Sequence, residues 1–176
     1  GTNPAEITGW PGGPGPGGRG INPGMGAGTP FRDNGNNMTN VAFLQGNGRT
    51  IAQAITGFEP GKNYRIAFDY NARSASDGNT APFVGVTATI GGASFVDSSV
   101  RPVGGSNSYY AGHILFTPAS DTATLDFTAN VTMGDRTLLV DNVRVFRNGP
   151  AIANNGFETP AFNTNQFKYQ FQMTPD

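Results

Sequence analysis

The feature that most constrains this chain is a strict alternation of side-chain character over residues 63–72. Because successive side chains of an extended strand point to opposite faces, a period of two indicates a β-strand with one face buried. Such a strand needs a sheet packed on a core. The apolar set is Tyr64, Ile66, Phe68, Tyr70 and Ala72, and the opposite set is Arg65, Ala67, Asp69 and Asn71.

Short apolar runs separated by turn residues fill the chain from residue 40 to residue 146. Gly46-Asn47-Gly48 is interpreted as a hairpin turn, and Gly91-Gly92 and residues 104–107 are predicted turns as well. Seven or eight strands at a spacing of about ten residues, without helical periodicity, predict an all-β antiparallel sandwich. The predicted strands cover residues 41–45, 49–56, 63–72, 83–90, 94–100, 109–117, 122–129 and 138–146.

Residues 1–30 are rich in glycine and proline after Trp10. Both residue types disfavour helix and interior strand, so this region is predicted to be a long loop. Loops of that length inside a compact domain usually bind something or pack against a neighbour. We therefore expect it to pack on the sandwich or at a junction between subunits.

Composition narrows the class of protein. The 176 residues, 36% of them hydrophobic, suit one domain with a sizeable core. Only 13% are charged and the net charge is -1, so we expect neither nucleic acid nor an anionic membrane as partner, since both need clustered basic charge. No apolar run is long enough to span a bilayer.

The polar residues are mostly Asn, Thr, Ser and Gln, and the chain contains no cysteine. Neutral surfaces rich in hydroxyl and amide groups are common outside cells, and an extracellular or cell-surface location is the expectation. Without disulfides, an extracellular domain needs its stability from a sheet core, a metal or assembly.

Three stretches carry a family resemblance: residues 33–73, residues 116–127 and the closing run at residues 138–145. They resemble the galactose-binding-like jelly rolls of non-catalytic carbohydrate-binding modules and related bacterial surface domains. The similarity spans about residues 7–147. It implies an antiparallel jelly-roll β-sandwich.

In that family the opening strand has the form N-G-x-F-E-x-P and precedes a G-W pair. Here Gly9-Trp10 stands near the start, whereas Asn155-Gly156-Phe157-Glu158-Thr159-Pro160 stands near the end. The resemblance therefore implies that the opening strand is displaced to the C-terminus. We divide the chain into the loop region 1–30, a sandwich body 31–147 and a tail 148–176 with a complementing strand.

Three explanations fit the displacement. The tail completes its own sandwich as a circular permutation, it completes the next subunit by strand exchange, or it begins a second repeat of an array. A missing strand leaves backbone groups unpaired beside the core. We favour the first two explanations, because Ile152, Phe157 and Phe162 would otherwise add to an exposed apolar surface.

Catalytic residues are few. His113 is the only histidine and lies in a predicted strand, so we interpret it as a sheet residue. With no cysteine and one histidine, metal-hydrolase and cysteine-nucleophile sites are excluded, and no G-x-S-x-G elbow is present. We expect no enzymatic activity.

A structural calcium ion is implied by the resemblance. Its carboxylate ligands would be Asp141 of the closing strand and Glu158 of the opening strand, with backbone carbonyls completing the six to eight oxygens that calcium takes. The alternative is that Asp141 hydrogen-bonds to nearby backbone and Glu158 pairs with an arginine.

Sugar binding needs aromatic faces beside amides and guanidinium groups, because a pyranose has apolar faces and a hydroxyl edge. The candidates are Trp10, Tyr109, Tyr110, Asn71 and Arg73, with Asn107 and Gln45 as further polar partners. Alternatively, Trp10 plugs the end of the sandwich, and the two tyrosines are sheet residues with one ring on each face. The triplets that begin at Asn37 and Asn130 are glycosylation motifs.

Two functions of different class follow. The first is a structural subunit of a filament or cell surface, which binds copies of itself by strand complementation into a homopolymer. The second is a carbohydrate-binding module that targets polysaccharide. The displaced strand favours the first function, and the family resemblance alone favours the second.

Overall fold

The computed structural model describes residues 9–10, 18–22, 39–73, 84–131 and 136–147. This part of the chain is built from antiparallel strands, as the alternating pattern predicts. They are β1 (Arg19–Asn22), β2 (Val41–Gln45), β3 (Arg49–Thr56), β4 (Tyr64–Ala72), β5 (Val84–Ile90), β6 (Ala93–Val100), β7 (Tyr110–Phe116), β8 (Thr122–Val131) and β9 (Thr137–Arg147).

The strands form two sheets that pack face to face. The five-stranded sheet has the order β1-β2-β9-β4-β7, and the four-stranded sheet has the order β3-β8-β5-β6. Strands distant in sequence lie side by side, such as β4 with β9 and β3 with β8. The architecture confirms the predicted jelly-roll β-sandwich, but the displacement of an opening strand falls on residues outside the described ranges.

The core lies between the inner faces of the two sheets. β4 contributes its predicted apolar face, with Ile66 and Phe68 no more than 1% exposed. Leu125 and Phe127 on β8, both fully buried, face β4 from the opposite sheet. The rings of Phe68 and Phe127 meet edge to face with centroids 4.9 Å apart, a favoured arrangement for aromatic pairs.

β9 organises the five-stranded sheet because it pairs with two strands over different lengths. Residues 137–140 pair with β2 on one side, whereas β4 pairs along β9 from Leu138 to Arg147 on the other. A β-bulge interrupts the second ladder between Ala67 and Asp69, and opposite it Asn142 has a φ of 54°. Asparagine tolerates this left-handed conformation better than most side chains.

Two of the predicted turns are confirmed. Gly91-Gly92 joins β5 to β6, and Ile90 pairs directly with Ala93 across it. Both glycines have positive φ, at 55° and 83°, as a two-residue hairpin turn requires. In the second turn, the Asn107 amide N–H donates to the Gly104 carbonyl at 3.2 Å.

The predicted hairpin at Gly46-Asn47-Gly48 is wrong. β2 belongs to the five-stranded sheet and β3 to the four-stranded sheet, so these residues carry the chain from one sheet to the other. Their amides bond to neither flanking strand: Gly46 donates to the Arg136 carbonyl at 2.9 Å and Gly48 to the Ala129 carbonyl at 2.8 Å. Positive φ values at Gly46 and Gly48 explain the glycines.

The predicted loop over residues 1–30 is also wrong at one point, since β1 lies within it. β1 pairs with β2 from Arg19↔Leu44 to Asn22↔Val41 and forms one edge of the five-stranded sheet. A short edge strand tolerates adjacent glycine and proline because only one side needs hydrogen-bond donors. Within the described residues, no helix has the length and apolar character needed to span a lipid bilayer.

Candidate functional site

The outer face of the five-stranded sheet carries a group of exposed polar and apolar side chains that we call the outer-face patch. Strand register creates it by aligning residues of β7, β4 and β9 in rows. Leu115, Arg65 and Phe146 form one row, His113, Ala67 and Arg144 form the next, and Ala111, Asp69 and Asp141 form the third. Alternate residues of each strand point into the core, so the patch residues all face outward.

Phe146 is the aromatic centre of the outer-face patch, and 37% of its surface is exposed. The guanidinium carbon of Arg65 lies 4.9 Å from the centroid of its ring, and that of Arg144 lies 5.9 Å away. Cation–π attraction at these distances holds both guanidinium groups over the ring. Leu115, 57% exposed, extends the apolar surface across Arg65.

The third row ends in two carboxylates that face each other across the ladder. Asp69 and Asp141 are direct partners in register, a position in which like charges repel. The Asn142 side chain donates to Asp69 Oδ2 at 2.8 Å, while Asp141 accepts from Thr39 Oγ1 at 2.9 Å and from the Asn142 backbone N–H at 2.7 Å. These donors offset the repulsion and form an acidic hollow at this end of the patch, lined also by Asn40.

The structure separates the sugar-binding residues that the sequence predicts. Tyr109 packs on the outer face of the five-stranded sheet against Val41 and Leu139. Tyr110 lies against Tyr70, with ring centroids 5.5 Å apart and 37% of its surface exposed. The two rings therefore take opposite faces, as the strand alternation predicts.

Asn71 is fully buried and has a structural role. Its side-chain oxygen accepts from the Ala72 and Val103 backbone N–H groups at 2.8 and 2.9 Å, and its Nδ2 donates to the Val103 carbonyl at 3.1 Å. This amide fastens the segment after β6 to β4 and has no exposed surface for a ligand. Arg73, the residue after β4, donates its backbone N–H to the Thr137 carbonyl at 3.0 Å.

Trp10 lies on the other side of the molecule from Tyr110, at the flank where β3 forms the edge of its sheet. Its ring is 5.9 Å from that of Phe127, and it packs partly buried against the core. This placement agrees with the alternative in which Trp10 plugs the sandwich. Of the further polar partners, Asn107 donates its side-chain amide to the Gly104 carbonyl at 2.7 Å within its own turn, and Gln45 ends β2.

The calcium prediction rests on Asp141 and Glu158, and Glu158 lies outside the described residues. The described residues contain no group of three or more His, Cys, Asp or Glu side chains that could hold a metal ion. Asp141 and Asp69 supply carboxylates, but they alone do not complete the shell of six to eight oxygens that calcium takes. Calcium therefore stays a prediction, and the hydrogen bond from backbone to Asp141 agrees with the alternative.

Four of the remaining predicted positions, Asn37, Ile152, Phe157 and Phe162, also lie outside the described residues. Asn130 lies exposed in β8 and donates its Nδ2 to Thr87 Oγ1 at 2.8 Å. A glycan on that nitrogen would displace this bond. His113 is exposed on β7, on the outer face, so its placement in a strand is confirmed.

The patch residues Arg65, Arg144, Phe146 and Leu115 were absent from the sequence-based candidates. One signal pointed to them, because the alternation over residues 63–72 assigns Arg65 and Asp69 to the face away from the core. Their neighbours on β9 and β7 depend on long-range register, which the sequence pattern does not specify.

Comparison with known proteins supports the fold. The chain is similar to a family 61 carbohydrate-binding module, TmCBM61, solved with β-1,4-galactotriose, with a TM-score of 0.54 and 14% identity over 84% of this chain and 97% of that one. It is also similar to the Stig cyclase Fisc from Fischerella sp. TAU, with a TM-score of 0.53 and 13% identity over 78% and 83% of the two chains.

A third similar structure holds the CBM22-1 and GH10 modules of Clostridium thermocellum xylanase 10B, complexed with xylohexaose. Its TM-score is 0.50 and its identity 12%, over 82% of this chain and 27% of that one. No family model and no curated protein matches the chain. The chain thus has the jelly-roll fold of carbohydrate-binding modules, a fold that a cyclase shares.

Proposed function

We propose that this protein is a non-catalytic carbohydrate-binding module and that the outer-face patch is its glycan-binding surface. One observation carries the proposal: an exposed aromatic ring, two guanidinium groups and two carboxylates share one outer sheet face. The exposed part of the Phe146 ring and the neighbouring Leu115 side chain offer an apolar surface to the CH face of a pyranose. Arg65 and Arg144 present donors to sugar oxygens, and Asp69 and Asp141 accept from sugar hydroxyls.

The shape of the patch suits an extended ligand. Its rows succeed one another along β4 from Arg65 to Asp69, which at about 3.4 Å per residue amounts to about 14 Å. The side chains change from aromatic and basic at one end to acidic at the other. A chain of sugars laid along β4 would contact the ring first and the carboxylates last, which favours an oligosaccharide over a single sugar.

Similar structures suggest the ligands to test. One of them is complexed with β-1,4-galactotriose and another with xylohexaose, so the proposed ligand class is a β-1,4-linked polysaccharide. An extracellular location follows from that ligand class and belongs to the same proposal. The cyclase among the similar structures shows that the fold alone does not decide between binding and catalysis.

Calorimetric titration of the full chain with β-1,4-galactotriose, xylohexaose and longer oligomers of each tests the proposal. Phe146→Ala should weaken binding about tenfold, the equivalent of about 1.4 kcal/mol, because it removes the stacking surface. Val96→Ala is the matched control, since Val96 is 62% exposed on the other sheet. Equal loss in both variants, or retention in both, would contradict a site on the outer face.

The filament subunit that the sequence favours first has weaker support. The similar structures include carbohydrate-binding modules, which favours the second function over the first. A size measurement under binding conditions separates the two functions. A monodisperse monomer that binds polysaccharide would leave the filament without support, whereas polymers that only denaturant dissociates would favour it.

A further inference from the structure

The sandwich has a cleft on one flank that we call the flank cleft. Its volume is about 410 Å³. β3 lines it with Ile51 and Ile55, β9 with Val143 and Val145, and Trp10 and Ile21 complete the apolar wall. Val145 is 43% exposed and Ile21 is 47% exposed, so the side chains of an inner sheet face reach solvent here.

The backbone beside the flank cleft lacks a described partner strand. β2 pairs with β9 only through residues 137–140, whereas β4 follows β9 to Arg147 on the opposite side. Within the described ranges, no strand lies along residues 142–147 on the side away from β4. A half-covered strand of this kind is a template for one more strand.

We propose that residues 152–162 of the same chain fill the flank cleft as a strand antiparallel to β9. The chain leaves β9 at Arg147, and the next apolar residue is Ile152. Only residues 148–151 lie between, a usual length for a hairpin loop. Asn148-Gly149 begins that loop with the dipeptide most typical of hairpin turns.

Phe157 enters the cleft if the loop covers residues 148–152, because residue 157 then lies opposite Val143, whose side chain lines the cleft. Backbone pairing with β9 would place this strand directly over Ile51 and Ile55, and alternate side chains would point between the sheets. The cleft, of about 410 Å³, has room for an aromatic ring, and removal of the apolar ring from water favours its burial there. Pro160 follows three residues later, near the end of the proposed strand. Fewer backbone N–H donors are needed there, so proline is tolerated.

The same chain is a better source than a second copy. Consecutive strands are usually neighbours in space. A segment tethered by four residues also has an effective concentration in the millimolar range, above that of any free partner in dilute solution. The flank cleft borders the acidic hollow of the outer-face patch, since Asn40, Asp141 and Asn142 line both. The tests of the proposal below do not depend on glycan binding.

Engineered disulfides test the proposal directly, since the chain has no native cysteine. Val145→Cys is combined in turn with a cysteine at position 153, 154, 155 or 156 of the full chain. These four positions sample the hairpin registers, because a disulfide forms only between Cα atoms about 4.4 to 6.8 Å apart. We expect at least one pair to oxidise rapidly to a monomer with an internal disulfide, detected by mass and by non-reducing electrophoresis.

The matched control places the first cysteine at Val96, which is 62% exposed on β6 at the opposite edge of the sandwich. None of its pairs should oxidise as fast. Disulfide-linked dimers as the main product from Val145→Cys would overturn the proposal in favour of strand exchange between copies. Oxidation no faster than in the control would overturn it outright.

Amide hydrogen exchange gives a second readout that needs no cysteine. In the unaltered full chain, the amides of residues 142–147 that point away from β4 should exchange slowly. Phe157→Asp should accelerate them at least tenfold, because it removes the apolar anchor of the strand. Phe167→Asp, a matched change in the tail outside residues 152–162, should not. Fast exchange of these amides in the unaltered chain, or equal effects of both variants, would overturn the proposal.

Discussion

The two flanks of the sandwich are closed in different ways. On one flank β6 and β7 form the outer edges of their sheets, and aromatic side chains bridge the space between them. The Phe95 ring on β6 lies 5.3 Å from that of Phe68 and 5.5 Å from that of Tyr70, both on β4. Tyr70 also donates its hydroxyl to Asp97 Oδ2 on β6 at 2.9 Å. This flank is sealed by the described strands.

The other flank lies between β3 and the second half of β9, and the flank cleft occupies it. Here Trp10 contacts Phe127 with its ring, while Ile55 and Val145 line a space that no described side chain fills. Both flanks belong to the same pair of sheets, so the difference between them lies in the strands that form the sheet edges. At the second flank, β2 pairs with β9 only through residues 137–140. Closure by side chains suffices where two strand edges face each other, and the second flank is the one for which we propose another strand.

The largest effect that would test this comparison comes from Phe68→Ala at the closed flank. Phe68 is 1% exposed and contacts the rings of Phe95 and Phe127. Truncation of a buried phenylalanine costs about 3 to 5 kcal/mol, because contacts are lost and a cavity remains. Urea unfolding should show this loss. A cost below that of Trp10→Ala at the other flank would contradict the idea that stability is concentrated at the closed flank.

Asn71→Ala should have the next largest effect. The variant removes three hydrogen bonds from a fully buried side chain and leaves the Val103 backbone groups without their partner. Leaving buried polar groups unsatisfied costs about 2 to 3 kcal/mol. Asn107→Ala is the control, because Asn107 bonds within an exposed turn. Glycan affinity, measured without urea, where the variant is still folded, should stay unchanged in Asn71→Ala. A selective loss of affinity would indicate that Asn71 contributes to glycan binding.

The sequence predicted the sheets well where local pattern decides the outcome. β4 has the predicted buried face because a period of two sets side-chain direction residue by residue. The Gly46-Asn47-Gly48 turn was placed correctly, but its role was not, since turn chemistry does not reveal whether a chain reverses within a sheet or crosses to another. β1 was missed because its pairing with β2, and not its own propensity, makes it a strand.

The candidate site shows the same limit. The sequence assigned Arg65 and Asp69 to the outer face, yet Phe146 and Asp141 join them through pairing between β4 and β9, which are far apart in the chain. Asn71 belongs to that same predicted face, but its amide is buried in hydrogen bonds with the Val103 backbone and has a structural role. Local alternation can therefore predict a face, but only long-range register determines which side chains meet on it.

Trp10→Ala tests the open flank and should have a smaller effect than either change above. Trp10 is only partly buried, so about half of the usual cost of truncating a core aromatic applies, or about 1.5 to 2.5 kcal/mol. The variant should also enlarge the flank cleft and increase binding of a dye that fluoresces on apolar surface. Phe157→Asp combined with Trp10→Ala should cost less than the sum of the two, because both changes open the same cleft. Strict additivity would indicate that Trp10 and residue 157 do not share it.

The smallest effect is a pH dependence that belongs to the closed flank. Burial, and then the hydrogen bond to Asp97 and its negative charge, raise the pKa of Tyr70 above its ordinary value of 10.0. In the unfolded chain this hydroxyl loses its proton from about pH 10 upward, while the folded chain keeps it. The unfolded state then binds fewer protons, so the free energy of unfolding falls as pH rises above about 10 and is unaffected below.

Tyr70→Phe should flatten that decline. The variant loses the bond to Asp97 and is less stable at about pH 8, but its urea midpoint should fall less than that of the unaltered chain between about pH 9 and about pH 11. Asp97→Asn should also reduce the decline, because it removes the charge that opposes ionisation of Tyr70. The other tyrosines and the lysines are common to every protein in the series, so their titration cancels in the comparison. Parallel curves for all three proteins would show that the contact with Asp97 does not keep the Tyr70 hydroxyl protonated in the folded chain.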